Sequence, residues 1–119
     1  MNTLRKFYIF KESDETENKV YLSGELDLFA APELAATVET LVADEDRALV
    51  LDLRELKYID STGIGILVSM LKARAGMKRP FHIQHIPNHI RRLLDLTGVG
   101  RYLTGSFNTN TQLKREESL

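Results

Sequence analysis

The sequence contains no cysteine, which excludes disulfide bonds, thiolate metal sites and cysteine nucleophiles together. It also lacks an excess of either charge, because 16 Lys and Arg stand against 17 Asp and Glu, a formal net charge of −1. No overall electrostatic field therefore favours nucleic acid or an anionic membrane as a partner. With 119 residues, the chain is long enough for one domain with a hydrophobic core and too short for two ordinary domains.

Long hydrophobic runs are absent as well. The most apolar stretch, residues 64–71, is far shorter than the roughly 20 residues that a membrane-spanning helix requires. Residues 1–6 are polar and carry no apolar core of a signal peptide. We therefore expect a soluble, cytoplasmic protein.

Hydrophobic periodicity predicts strands that alternate with helices. Residues 7–10 and 19–23 suit two strands of a hairpin, and residues 48–53 suit a central strand that is covered on both faces. Pro32 is well placed in the first turn of a helix, and residues 62–75 have the apolar spacing of a second helix, with Gly76 as its expected C-cap.

The second half of the chain continues this alternation. Residues 81–83 suit a short strand, and residues 102–107 suit a last strand or a short helix. Between them, a third helix is predicted to begin at residues 87–88 and to direct three side chains inward: Ile90, Leu93 and Leu94. The pattern indicates an α/β layer structure with right-handed crossovers.

The junction between the central strand and the second helix, residues 58–65, reads YIDSTGIG. Asp, Ser and Thr are preferred N-cap residues, so residues 60–62 are compatible with a plain structural cap. Gly63 and Gly65 fit that interpretation less well, because glycine in a helix costs roughly 1 kcal/mol against alanine. They are expected to leave bare backbone beside Ser61, which suits close approach by another protein or by phosphate oxygens.

A serine at this junction has its hydroxyl at the positive end of a helix dipole. A phosphate there would add a charge of about −1.5 to −2. The helix N-terminus would favour it by about 0.3 to 1 kcal/mol, whereas Asp60 and Asp27 would oppose it. A partner shaped for a neutral serine would instead face a buried, unpaired charge, which costs several kcal/mol. We therefore predict that phosphorylation of Ser61 switches the binding of a partner.

The second helix carries apolar residues outside its core stripe. The stripe has helical spacing and consists of Ile64, Leu67, Val68 and Leu71. Ile66 and Met70 lie off it, so either the helix is simply well covered or these residues form an exposed contact patch. A patch that runs from Ser61 along Ile66 to Met70 would make a docking site on the helix face.

Residues 58–65 resemble the phosphorylation motif of STAS domains of the anti-sigma factor antagonist family. Residues 24–27 (GELD) and residues 90–99 (IRRLLDLTGV) resemble the second and third signatures of that family. The resemblance implies an α/β fold, a single STAS domain over residues 1–107, with a small, mixed, mostly parallel sheet of four to five strands backed by three to four helices. Residues 108–119 are expected to form a polar, flexible C-terminal tail.

The resemblance also implies a function in bacterial transcription regulation, in a stress response or in sporulation. The unphosphorylated form would bind an anti-sigma factor serine kinase and free a sigma factor. ATP-dependent phosphorylation of Ser61 would end that binding, and a metal-dependent serine phosphatase would restore it. The protein itself would be no enzyme and would need no cofactor. The partner-binding residues that the family motifs imply are Asp27, Asp60, Thr62, Gly63, Gly65, Ile66, Ser69 and Met70.

Four alternative functions have weaker support in the sequence. Within the family, the domain could instead be a scaffold or sensor subunit of a signalling or lipid-transport complex. A metal site is disfavoured, since no thiolate joins the histidines and Pro87 interrupts their spacing (His82, His85, His89). A receiver domain phosphorylated on Asp52 would also need an acidic pair after its first strand and a lysine after a late strand. The acidic run from Glu12 instead leads into the predicted hairpin, and no lysine directly follows residues 81–83. An enzyme built on Ser61 lacks a credible general base in the sequence.

Overall fold

The computed structural model describes residues 5–98. Four strands form one sheet in the order β1-β2-β3-β4: β1 (Phe7–Ser13), β2 (Glu17–Leu26), β3 (Ala48–Ile59) and β4 (Phe81–Gln84). β1 and β2 are an antiparallel hairpin, whereas β2, β3 and β4 run parallel. The element predicted at residues 102–107 and the tail at 108–119 lie outside the described residues.

Three helices connect or follow the parallel strands. They are α1 (Ala31–Val42), α2 (Ser61–Gly76) and α3 (Asn88–Leu96). Pro32 lies in the first turn of α1, as predicted, where its missing N–H leaves no helical hydrogen bond unmade. The α/β class and the mixed, mostly parallel sheet are therefore confirmed, with four strands and three helices in residues 5–98.

One hydrophobic core joins the helices to the sheet. The strands contribute alternate residues, and the helices contribute residues at spacings of three and four, because those periods place side chains on one face. Fully buried members include Val20, Leu22, Leu26, Leu34, Leu49, Leu51, Leu53, Leu67, Ile90 and Leu94. On β1 the alternate residues Tyr8 and Phe10 point outward, so the hairpin has one solvent-facing side.

Two local predictions are wrong. Leu93 is 36% exposed because only one face of the nine-residue helix α3 packs inward, the face with Ile90 and Leu94. Gly76 does not cap α2: the helix includes Gly76, Met77 follows as the C-cap, and the chain turns at Lys78 with a φ of 59°.

A buried arginine holds together the ends of several elements. Arg74 of α2 has no solvent exposure, and its guanidinium donates to four backbone carbonyl oxygens at 2.6 to 3.3 Å, those of Val42, Asp44, Arg47 and Pro80. Planar guanidinium groups can serve several acceptors at once, so a buried charge is satisfied here without a carboxylate partner. Arg74 therefore ties α2 to the end of α1 and to the starts of β3 and β4.

The loop before β3 is stabilised by a carboxylate. Asp44 accepts hydrogen bonds from the backbone N–H of Asp46 at 2.8 Å and from the amide of Asn18 at 3.0 Å. Nη1 of Arg47 lies 3.2 Å from Oδ2 of Asp44 and forms an ion pair with it. These donors, the Asp46 N–H first, lower the pKa of Asp44 from 3.8 to about 2.

The parallel pairing of β2 and β3 positions the predicted site. Leu26 and Ile59 are register partners at the ends of these strands. Asp27 and Asp60 follow them directly, so both aspartates lie at the same edge of the sheet, where α1 and α2 begin. The sequence places them 33 positions apart, and only the strand register brings them together.

Candidate functional site

Asp60 joins the start of α2 to the loop between β2 and α1. It is the N-cap residue, in an extended conformation, and its Oδ1 accepts a hydrogen bond from the Gly63 N–H at 3.0 Å. Its Oδ2 accepts from the Leu28 N–H at 3.1 Å, and its own N–H donates to the Leu26 carbonyl at 3.3 Å. One side chain therefore fixes two segments that converge at this edge of the sheet.

Ser61 is the first residue of α2 and is exposed to solvent. The helix has no acidic residue in its first turn, so the negative group nearest to Ser61 in sequence is the capping carboxylate of Asp60. The backbone N–H groups at a helix N-terminus attract anions. A phosphate on this hydroxyl would lie in that favourable field and would not have to enter the core.

Asp27 stabilises the turn that leads into α1, whose N-cap residue is Ala30. Its Oδ1 accepts hydrogen bonds from the backbone N–H groups of Phe29 and Ala30, both at 3.0 Å. Its carbonyl oxygen accepts from Ala30 and Ala31 at 3.1 and 2.9 Å. Asp27 is half-buried, and its carboxylate stabilises its own loop. Its negative charge lies at the same edge of the sheet as Ser61.

The two glycines of α2 have different surroundings. Gly63 is buried, and a Cβ added there would lie 2.4 Å from the carbonyl oxygen of Leu26 and 2.8 Å from Cγ1 of Ile59. The expectation that Gly63 leaves bare backbone for a partner is therefore wrong, because it permits close packing of α2 on the sheet. Gly65 is exposed and a Cβ there would meet nothing within 4 Å, so its backbone is open.

The outward side of α2 is a stripe of small residues. Ser61, Gly65 and Ser69 are four residues apart, and all three are exposed. The Ser69 hydroxyl donates to the Ile66 carbonyl at 2.9 Å, within the same helix. Thr62 is half-buried beside this stripe. A partner can therefore approach the helix backbone closely along the side on which Ser61 lies.

The predicted apolar patch on α2 is not an exposed surface. Met70 is only 4% exposed and belongs to the core, so its prediction as a contact residue is wrong. Ile66 is half-buried and packs against the same core. Both residues line a shallow groove of about 200 Å³ between α1 and α2, together with Val38 and Val42. Packing of α1 against α2 covers this side of the helix, which the sequence pattern of α2 alone could not reveal.

Two exposed apolar residues at this edge were missed. Leu28 is 58% exposed and Phe29 is 85% exposed, in the loop between Asp27 and α1. Turn positions of this kind usually carry polar or small residues. The sequence did carry a signal for this surface: two large apolar residues stand side by side between Asp27 and the start of α1. An analysis of helical or strand periodicity could not detect that signal, because the two residues belong to neither a helix nor a strand.

Two of the three histidines, His85 and His89, make structural contacts. His85 Nδ1 lies 2.8 Å from Oδ2 of Asp52, and Nε2 of His89 lies 2.8 Å from the carbonyl oxygen of Lys57. Asp52 is only 2% exposed, and its carboxylate is engaged by His85, which disfavours it as a phosphate acceptor. Across residues 5–98, no three His, Cys, Asp or Glu side chains are grouped closely enough to hold a metal ion. In the same part of the chain, no helix is long and apolar enough to cross a membrane.

Comparison with known proteins gives consistent matches. A family model described as "Mlab, STAS domain" matches residues 9–105. The anti-sigma-B factor antagonist of Staphylococcus aureus (strain NCTC 8325 / PS 47) is 33% identical over 87 residues, which are 71% of this chain and 81% of the relative. The protein of the same name from Listeria monocytogenes serovar 1/2a is 29% identical over 75% of this chain and 78% of its own length.

A solved structure has the same fold. The crystal structure of an anti-sigma factor antagonist from Mycobacterium paratuberculosis superposes with a TM-score of 0.71 and 29% sequence identity, over 80% of each chain. The matched region of the family model includes both the 58–65 junction and the β2–α1 loop.

Proposed function

Because the chain belongs to the STAS domain family, among the anti-sigma factor antagonists, we propose that it acts by phosphorylation-controlled partner switching. The unphosphorylated form binds an anti-sigma factor that is also a serine kinase, and this binding frees a sigma factor. Phosphorylation of Ser61 by that kinase with ATP ends the binding. A metal-dependent serine phosphatase removes the phosphate and restores it.

The observation that carries this proposal is the position of Ser61. Its hydroxyl belongs to an exposed residue at the first turn of α2, directly after a capping aspartate that is already satisfied by two backbone N–H groups. A phosphate can therefore be attached without breaking the hydrogen bonds that define the cap. Asp60 holds the acceptor's backbone in place, and Asp27 adds a second negative charge at the same edge.

Electrostatics explains why one phosphate suffices as a switch. It adds a charge of about −1.5 to −2, next to the negative charge of Asp60. An interface closed over a neutral serine would have to desolvate this group, at a cost of several kcal/mol. A loss of about 2.7 kcal/mol already weakens binding about a hundredfold. The antagonist therefore needs no refolding to lose its partner.

The contact surface consists of the outward side of α2 and the cap residues. Its proposed members are Asp27, Asp60, Ser61, Thr62, Gly65 and Ser69, with Ile66 at its half-buried margin. Gly63 contributes indirectly, because it permits α2 to pack against the end of β2. The proposed domain spans residues 1–107, acts in the cytoplasm as a binding protein without catalytic activity, and contacts neither nucleic acid nor membrane.

The proposal is tested by intact-mass measurement after incubation with the purified anti-sigma factor kinase of the source organism and ATP. We expect the wild-type chain to gain one phosphate and Ser61→Ala to gain none. Thr62→Ala is the matched control, since it removes the neighbouring hydroxyl, and it should still gain one phosphate.

Two results would contradict the proposal. Equal phosphate uptake by the wild type and Ser61→Ala would place the modification elsewhere. No uptake by the wild type, combined with no binding to the kinase, would favour the alternative of a scaffold or sensor subunit of a signalling or lipid-transport complex.

A further inference from the structure

The loop between β2 and α1 presents an unusual apolar tip. Phe29, at 85%, is the most exposed large hydrophobic side chain in the part of the chain that the structure describes, and Leu28 next to it is 58% exposed. Single exposed apolar residues are ordinary, but an adjacent pair at the tip of a loop exposes a continuous apolar surface to water. Burial of this tip in a partner would remove that apolar surface from water, which favours binding.

The tip is held in a fixed position. Three consecutive backbone N–H groups, those of Leu28, Phe29 and Ala30, donate to the carboxylates of Asp60 and Asp27. A loop held in this way loses little conformational freedom when it binds, which favours affinity. Aromatic side chains on such fixed positions are frequent anchors of protein interfaces.

The tip is continuous with the phosphorylation site. Asp60 accepts the Leu28 N–H with Oδ2 and the Gly63 N–H with Oδ1, and Ser61 is the next residue in the chain. The same carboxylate therefore fixes both the apolar tip and the first turn of α2. A protein that covers the Ser61 hydroxyl must also lie close to this loop.

We propose that Leu28 and Phe29 are the apolar anchor with which the unphosphorylated chain docks into a hydrophobic pocket of its anti-sigma factor kinase. This inference rests on the proposed function and names the residues that supply affinity, whereas Ser61 supplies control. A second copy of the chain is a poorer occupant. One aromatic side chain buries about 150 to 250 Å², so two such tips facing each other fall well short of the 1,200 Å² or more that stable interfaces bury. The kinase must in addition cover the start of α2.

The test measures the affinity of the unphosphorylated chain for the purified kinase of the source organism by calorimetry. Phe29→Ser should weaken binding by more than about tenfold, since central aromatic anchors dominate interface energies. Phe10→Ser is the matched control: Phe10 is 62% exposed on the solvent-facing side of the hairpin, and its replacement should change the affinity by less than about twofold. Thermal unfolding of Phe29→Ser should match the wild type, because the removed ring lies outside the core.

The outcomes separate this inference from the switch itself. Unchanged kinase affinity of Phe29→Ser, with normal phosphate uptake at Ser61, overturns the anchor and leaves the switch intact. An equal loss in Phe29→Ser and Phe10→Ser also overturns it, since the effect would not be specific to the loop. If sedimentation shows that Phe29→Ser abolishes self-association while kinase binding persists, the occupant is a second copy and the inference is wrong. If the wild type does not bind the kinase, both proposals fail.

Discussion

Replacement of Gly63 by alanine is expected to destabilise the domain, although alanine is the better helix former. The added Cβ would lie 2.4 Å from the carbonyl oxygen of Leu26, 2.8 Å from Cγ1 of Ile59 and 2.9 Å from Cγ of Leu26. All three separations are shorter than real Cβ contacts, and one of them involves backbone. The end of β2 or the start of α2 must therefore shift.

The magnitude follows from two opposing terms. Overpacking of a tight site costs about 1 to 3 kcal/mol, and a clash with backbone belongs at the upper end. The gain from replacing glycine in a helix is at most about 1 kcal/mol. The shift also strains the hydrogen bond from the Asp60 N–H to the Leu26 carbonyl, at 3.3 Å. We expect a net loss of about 2 kcal/mol, which corresponds to a decrease in Tm of about 8 °C for a domain of this size.

Gly65→Ala is the matched control. It lies two residues further along the same helix, and its Cβ would meet nothing within 4 Å. This variant should be as stable as the wild type or more stable by up to about 1 kcal/mol. Urea and thermal unfolding followed by circular dichroism measure both changes. Equal stability of Gly63→Ala and Gly65→Ala would refute the reasoning, since the expected loss at Gly63 comes from steric contacts that Gly65 lacks.

Three further predictions concern capping, a buried charge and acid stability. Asp60→Ala should lower the free energy of unfolding by about 1 to 2 kcal/mol through loss of the N-cap, and a change below about 0.3 kcal/mol in urea unfolding would contradict this role. Arg74→Met should cost more than about 3 kcal/mol, because four carbonyls lose their donor; thermal unfolding within 2 °C or so of the wild type would be inconsistent with that cost. The pKa of Asp44 is about 2 when folded and 3.8 ordinarily, so its stabilisation is present above about pH 4 and disappears as the pH falls towards 2. Asp44→Asn should therefore flatten the stability profile over that window, and an unaltered profile in acid titrations would count against it.

The fold could largely be predicted because each element carries its own local signal. Period-two apolar residues indicated the hairpin, Pro32 marked the start of α1, and the spacing of Ile64, Leu67 and Leu71 indicated the buried face of α2. These signals depend on residues near in sequence. The exposure of Leu93 depends on tertiary packing, and the continuation of α2 through Gly76 left no comparable pattern in the sequence.

The candidate site was only partly predictable for the same reason. Asp60 and Ser61 are recognisable from the cap and from the family motif. The proximity of Asp27, however, follows from the parallel register of β2 and β3. The burial of Met70 follows from the position of α1, and the role of Gly63 from its contact with Leu26. Each of these facts joins residues that are distant in the chain.

The most direct test of partner switching compares the kinase affinity of the chain before and after phosphorylation of Ser61. Calorimetric titrations with purified, singly phosphorylated protein and unmodified protein should differ by about a hundredfold or more in Kd, while the two forms unfold within about 1 kcal/mol of each other. Equal affinities would contradict the account, because the charge on Ser61 would then have no influence on docking.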